Sequence, residues 1–155
     1  MPYSAWVRIH RATLQELDIA YSIVSEYYEA VGVVVRDDRS AFEREYFSED
    51  AGVWLATVGG TVVGCIALHP LPNRKNCGEI KRLYVRLKHR SRGVAEALLR
   101  KLEAYAAERS FKVLYLDSKK DLMPAIRLYR RHGYEPCPRY NDNPQATIFM
   151  RKQIS

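Results

Sequence analysis

Residues Glu79 to Leu102 read EIKRLYVRLKHRSRGVAEALLRKL, and no other segment restricts the fold as tightly. Glu79–Arg86 is β-branched and aromatic enough for a strand. Leu87–Arg92 is a basic turn that carries Lys88, His89, Arg90 and Arg92. Val94, Leu98, Leu102 and Tyr105 then recur at helical spacing. A helix N-terminus presents unpaired N–H groups and a partial positive charge, so it suits anions. Gly93 has no Cβ and admits close approach of a ligand, while the cations around it add long-range attraction. The segment therefore reads as a phosphate cradle between a strand and a helix.

Two glycine motifs are excluded. There is no GxxxxGK[ST] loop, and Gly93 stands alone where a dinucleotide fingerprint needs GxGxxG. What is present, Arg90-Ser91-Arg92-Gly93-Val94-Ala95, resembles the [Q/R]-x-x-G-x-[G/A] pyrophosphate loop of the GNAT N-acetyltransferase family, which binds acetyl-CoA. The preceding EIKRLYV strand and the amphipathic helix that follows are the context that loop requires.

The remaining chain supplies a mixed α/β order. Trp6–His10 alternates as a first strand. Thr13-Leu14-Gln15-Glu16 fits a capping box, and Leu14, Leu17, Ala20, Tyr21, Val24 and Tyr28 form a helical stripe up to the breaker Gly32. Val33–Asp38 has no clear periodicity, and Ser40–Phe47 reads as a short second helix. No charged residue lies between Asp50 and Arg74, yet Gly52, Gly59, Gly60, Gly64, Pro70 and Pro72 break that run. It reads as a hairpin, Val53–Val58 and Thr61–Leu68 joined by Gly59-Gly60, and not as a membrane span. Leu71–Gly78 is a polar loop, and the long helix runs to about Arg109. Phe111–Leu116 is apolar throughout, as a strand buried on both faces would be. Asp117–Asp121 is a loop, Pro124 opens a helix that Ala125–His132 continues, and Gly133 caps it. Tyr134-Glu135, the loop Pro136–Pro144 and a strand over Ala146–Lys152 complete the chain. The expectation is one α/β domain over residues 1–155, with antiparallel hairpins joined to a parallel pair. This order matches the GNAT fold, which implies a mixed sheet of about seven strands flanked by about four helices.

A second motif strengthens the resemblance. Ala125-Ile126-Arg127-Leu128-Tyr129-Arg130-Arg131-His132-Gly133-Tyr134 is similar to the family's A-x-x-L-Y-x-x-x-G-[F/Y] signature. Many members carry an Asn three residues before that Ala; here the position is Leu122. The resemblance implies transfer of an acetyl group from acetyl-CoA to a primary amine. It implies that a bulged stretch around Leu83, Tyr84 and Val85 lines the pantetheine arm and that Arg90–Ala95 holds the pyrophosphate. It gives Tyr129 the role of general acid toward the sulfur, and a phenol of pKa near ~10 is reasonably matched to an alkyl thiolate. Glu79 is the candidate base, directly or through water, if partial burial raises its pKa; the alternative is a solvated Glu paired with Lys or Arg. The helix–loop–helix residues Tyr27, Tyr28 and Arg36, and Tyr140 in the Arg139–Pro144 loop, fall where the family builds its acceptor pocket.

Composition narrows the function classes. A chain of 155 residues with 47% hydrophobic and 28% charged residues can build a core and is not a disordered chain. The net charge of +7 is spread along the chain, without zinc-finger spacing or an RNA-binding aromatic signature, so nucleic acid is not the expected partner. The phosphates of coenzyme A account for part of it. Cys65, Cys77 and Cys137 are far apart and lack C-x-x-C spacing, which reads as reduced thiols in a cytoplasmic protein. No metal-ligand spacing and no signal peptide are present. The acceptor reads as a small molecule or amino-acid-like amine, with a peptide or protein amine as the alternative. A non-catalytic CoA-binding regulatory module is the rival from another class, and a homodimer is a family-level expectation.

Overall fold

The computed structural model describes residues 6–155. In chain order the elements are β1 (Val7–Arg11), α1 (Leu17–Val31), α2 (Arg39–Tyr46), β2 (Gly52–Val58), β3 (Thr61–Pro70), β4 (Cys77–Val85), α3 (Val94–Glu108), β5 (Val113–Ser118), α4 (Met123–Arg131), β6 (Glu135–Pro136) and β7 (Ile148–Gln153). All seven strands share one sheet in the order β1-β2-β3-β4-β5-β7-β6. Every pairing is antiparallel except β4 with β5, the pair joined through α3. The expected mixed sheet and helices of the GNAT fold are therefore present, and the uncharged run after Asp50 is the expected hairpin. Among the described residues no helix is long and apolar enough to cross a membrane. The reading of the first five residues lies outside the described part.

Each sheet face buries one helical layer. The stripe of α1 (Leu17, Ala20, Ile23, Val24, Tyr28) and the α2 residues Phe42 and Tyr46 pack on Val53, Leu55, Cys65 and Ala67. On the other face, Leu98, Leu99 and Leu102 of α3 and Leu128 and Tyr129 of α4 pack on Ile66, Leu68, Ile80, Leu114 and Leu116. Leu14 departs from its expected place in the α1 stripe. It sits in a 3-10 turn, Leu14–Glu16, and is 61% exposed, because α1 proper begins only at Leu17. Glu16 still reaches back to accept from the Thr13 N–H at 3.0 Å, as a capping box requires.

One irregularity organises the centre of the sheet. Cys65 pairs with Tyr84, but Ala67 pairs with Lys81, so β4 carries an extra residue there. This is a β-bulge, and Arg82 within it has φ +62. The bulge reverses the strand's alternation: Ile80 faces the α3 layer, and so do Leu83 and Val85. Tyr84 meanwhile packs with the α1 layer. The Cys65 thiol donates to the Arg82 carbonyl oxygen at 3.2 Å. Gly64 lies across from the bulge, where a Cβ would stand 2.7 Å from the Tyr84 carbonyl oxygen.

We expect Gly64→Ala to be destabilising by about 1–3 kcal/mol in urea unfolding, because the backbone of β4 must give way. Binding of acetyl-CoA should weaken in the same variant. An unchanged unfolding midpoint would show that the β3–β4 approach is not tight.

Candidate active site

The cleft follows from where β4 and β5 stop pairing. Their parallel ladder runs from Cys77 opposite Val113 to Ile80 opposite Leu116. Beyond that, β4 continues through the bulge to Val85 and β5 to Ser118, without pairing to each other. A sheet edge left open inside a fold has backbone polar groups to satisfy. This one faces a cavity of about 1140 Å³. Arg90, Ser91, Gly93 and Val94 line one end of it, and Leu83, Tyr84, Val85 and Ala95 also lie on the wall. Tyr129 of α4 faces the same space, as do Tyr27, Asp37, Arg82 and Asp117.

The cradle has the local form the sequence suggested. Gly93 is the N-cap of α3 with φ +83, and Ser91 has φ +61. A Cβ on Gly93 would meet nothing within 4 Å, so the backbone angle, not crowding by protein, calls for glycine there. Arg90 donates from Nε to the Val85 carbonyl at 2.7 Å, which ties the turn to the end of β4. Arg90, Ser91 and Arg92 are exposed, with Arg92 off the cavity wall. An open glycine, a helix N-terminus and exposed cations together fit a diphosphate.

Tyr129 is buried against Tyr134, with ring centroids 5.5 Å apart in an edge-on arrangement. Its hydroxyl hydrogen-bonds to none of the described residues. Burial, with the neighbouring Tyr27 and Asp117 adding to it, pushes the phenol well above its usual range. The group therefore keeps its proton and is available as a donor.

Glu79 differs most from expectation. It is a buried residue in mid-strand, 4% exposed, and lies off the cavity wall. His69 Nε2 stands 2.8 Å from Oε1. Tyr140 donates its hydroxyl to Oε2 at 2.6 Å, and Asn141 donates Nδ2 to the same oxygen at 3.0 Å. Lys81 Nζ lies 3.8 Å away. Burial alone would raise the carboxyl pKa, but the His69 hydrogen bond, the Lys81 charge and the Tyr140 hydroxyl outweigh it and hold the group down at about 2. The raised pKa expected of a base is replaced by a depressed one, because burial here comes with donors.

The comparisons with known proteins agree with this geometry. Residues 17–134 match the Acetyltransferase (GNAT) family. The chain belongs to the GNAT acetyltransferase family. It is an acyl-CoA-dependent N-acetyltransferase, with acetyl-CoA as cosubstrate and an amine as acceptor. An uncharacterized N-acetyltransferase of Schizosaccharomyces pombe is 30% identical over 148 residues, covering 91% of this chain and 90% of that protein. A GNAT acetyltransferase from Staphylococcus aureus Mu50 has the same fold, with a TM-score of 0.81 at 18% identity, covering 96% of this chain and 99% of that one. So does the PaiA N-acetyltransferase of Thermoplasma acidophilum in complex with coenzyme A, with a TM-score of 0.70 at 16% identity over 95% of this chain and 98% of that one. The chain spans about half the length of some rodent N-acetyltransferases that it also resembles.

In this GNAT acetyltransferase the residues expected at the acceptor pocket separate. Tyr27 lines the cavity, whereas Tyr28, Arg36 and Tyr140 do not. Tyr28 is buried, and its hydroxyl accepts from the Asp37 N–H at 3.4 Å. Arg36 turns outward to Glu29 at 2.5 Å and to the Val33 carbonyl at 2.6 Å, which clasps the α1–α2 loop. Tyr140 packs tilted against Tyr115 and donates its hydroxyl to Glu79. Leu122, at the family's usual Asn position, contributes an apolar side chain to the wall. Among the wall residues that the sequence reading did not single out are Arg82, Asp117 and Gln145. Asp117 accepts from Asn141 Nδ2 at 2.6 Å and lies 3.2 Å from Lys81 Nζ. Asn141 thus bridges two buried carboxylates, and Asn and Asp side chains dense in one loop were the only hint of it. Cys65 is core; burial pushes its thiol up, away from nucleophile chemistry.

The depressed Glu79 carboxyl links stability to pH. The folded state binds this proton less readily than the unfolded state. The stabilisation is therefore complete above the ordinary value of 4.5 and is lost as pH falls toward about 2. In Glu79→Gln the pH dependence over that window should flatten, and stability at pH 7 should fall by on the order of 2–3 kcal/mol. Urea unfolding of both proteins from pH 2 to 7 measures this; parallel curves would mean that Glu79 ionises in the fold as it does in the open chain.

Proposed function

We propose that this enzyme acetylates the primary amine of a small, amino-acid-like molecule, acting as a single cytoplasmic catalytic domain. The observation that carries the acceptor class is a bridge over the cleft. Gln145, just before β7, accepts from the Val34 N–H at 3.0 Å and donates Nε2 to the Gly32 carbonyl at 3.0 Å. Residues more than a hundred positions apart thereby join the α1–α2 loop to the loop ahead of β7. The Val34 N–H and the Gly32 carbonyl are thereby taken from an extended peptide on this rim. A small amine still has room below the bridge, which disfavours the peptide or protein reading. Three cysteines without disulfides fit a reducing compartment.

Acetyl-CoA supplies the acyl group, activated as a thioester. Arg90–Ala95 hold its diphosphate through the start of α3, and the open β4 edge at Leu83–Val85 orients the acyl arm and offers backbone donors to the carbonyl oxygen. Tyr129 holds a proton on its hydroxyl oxygen for the departing sulfur. Glu79, saturated with donors, acts as a positioning residue. It fixes Tyr140 and Asn141, and Asn141 fixes Asp117. Asp117, on the cavity wall and held by Asn141 and Lys81, faces the acceptor ammonium, whose proton leaves to water before attack. A hydroxyl kept protonated and unengaged at the cleft speaks for turnover and against a binding-only module.

Thermal unfolding with acetyl-CoA, followed by a thiol-release screen across amino acids, polyamines, aminoglycosides and peptides, tests this reading. A rise in Tm and turnover confined to small amines are the expected results. Tyr129→Phe should cut kcat by about a hundred-fold or more while the acetyl-CoA shift remains. Full kcat in that variant would remove the acid role, and preference for peptides would move the acceptor class.

A further inference from the structure

Arg82 combines two unfavourable features at one place. It is a non-glycine residue with φ +62, and its Nε is buried with no hydrogen-bond partner. Among the described residues no other buried side-chain nitrogen or oxygen is left without a partner. Both features carry a cost to the folded state, and such costs collect where a ligand is bound.

The surroundings show what the guanidinium lacks. Arg82 lies on the cavity wall with 13% of its side chain exposed. Its Cζ is 5.0 Å from the ring centre of Tyr28 and 6.0 Å from that of Tyr27. These rings shield the charge, and the Tyr27 hydroxyl also meets the guanidinium, yet Nε is left without a partner. Asp37 Oδ2 is 3.5 Å from Nη2, a long contact that leaves Nε unserved. The other cations on this part of the wall are engaged: Lys81 with Asp117 at 3.2 Å, and Lys119 with the Val31 carbonyl at 3.0 Å. A planar guanidinium fork matches the planar, two-oxygen geometry of a carboxylate. Arg82 also directly precedes Leu83 in the bulge, so an anion held there keeps the rest of the molecule beside the open β4 edge.

We propose that Arg82 binds a carboxylate carried by the acceptor a few bonds from its amine, so that the acceptor is an amino carboxylate. This rests on the acetyl-transfer reading above and names the residue that holds the acceptor's anionic end. The side chain is a specificity-determining contact and takes no part in proton transfer.

The test compares acids with their amides. Initial rates of thiol release are measured for the standard amino acids, β-alanine and 4-aminobutyrate, each against its carboxamide and each expressed per free-base amine. Spermidine and kanamycin serve as anion-free amines. For the amino carboxylates that turn over, the acid should exceed its amide by roughly 10- to 100-fold in kcat/KM, mostly through KM. Arg82→Gln should bring that ratio close to one, and Arg82→Lys should leave it in between. A partial folding defect lowers both rates together and does not move the ratio; should Arg82→Gln not fold, the wild-type ratio and Arg82→Lys decide. Equal rates for acid and amide, or a ratio that survives Arg82→Gln, overturn the anchor. Turnover of spermidine or kanamycin alone also overturns it while leaving acetyl transfer intact. Absence of both an acetyl-CoA thermal shift and any turnover removes the acetyl-transfer reading as well.

Discussion

The extra residue in β4 is the feature on which the rest of the site depends. A regular strand would continue its ladder with β5 and close the sheet. With one residue inserted opposite Cys65–Ala67, β4 bends just where its pairing to β5 ends, and the two strands part. That parting creates the cavity and leaves a backbone edge facing it. It also aims the strand at the turn that carries Arg90, so the helix N-terminus of α3 and the open edge border one continuous cleft. Gly64 permits the arrangement by lacking a Cβ where Tyr84 presents its carbonyl, and Cys65 secures it with a bond to the carbonyl of Arg82.

A second consequence is the change of face. Before the bulge, Ile80 points into the α3 layer; after it, Leu83 and Val85 do. In a strand of strict alternation Arg82 would share the face of Ile80 and be driven into the apolar layer under α3. The bulge turns it instead toward Tyr27, Tyr28 and Asp37. The same device that opens the cleft therefore places a buried cation beside it. The open β4 edge and the buried position of Arg82 thus come from one irregularity.

The polar network around Glu79 performs a different task. Its carboxylate gathers His69 from β3 and Tyr140 and Asn141 from the loop ahead of β7, and Asn141 passes the connection to Asp117 on β5. The loop ahead of β7 sets the Tyr140 ring against Tyr115 and Phe149. It is also held by charge-assisted hydrogen bonds to buried carboxylates. Gln145 then carries the same loop across to the α1–α2 loop. Burial with donors lowers a carboxyl pKa where burial without them would raise it.

Local features were legible from the chain alone. The strand–turn–helix of Glu79–Leu102, the Gly59-Gly60 hairpin and the Ala125–Tyr134 segment depend on periodicity and on glycine placement, which neighbouring residues determine among themselves. They were sufficient for the fold family. What surrounds Glu79, which way Arg82 points, and which of Tyr27 and Tyr28 reaches the cleft were decided only in the tertiary structure. Each depends on a contact between residues distant in sequence: His69 and Tyr140 on Glu79, the register of β3 against β4, and the packing of α1 on both. A pattern of two along a strand carries no sign of the residue that breaks it. That sign lies in the partner strand, where Gly64 leaves room for the backbone opposite.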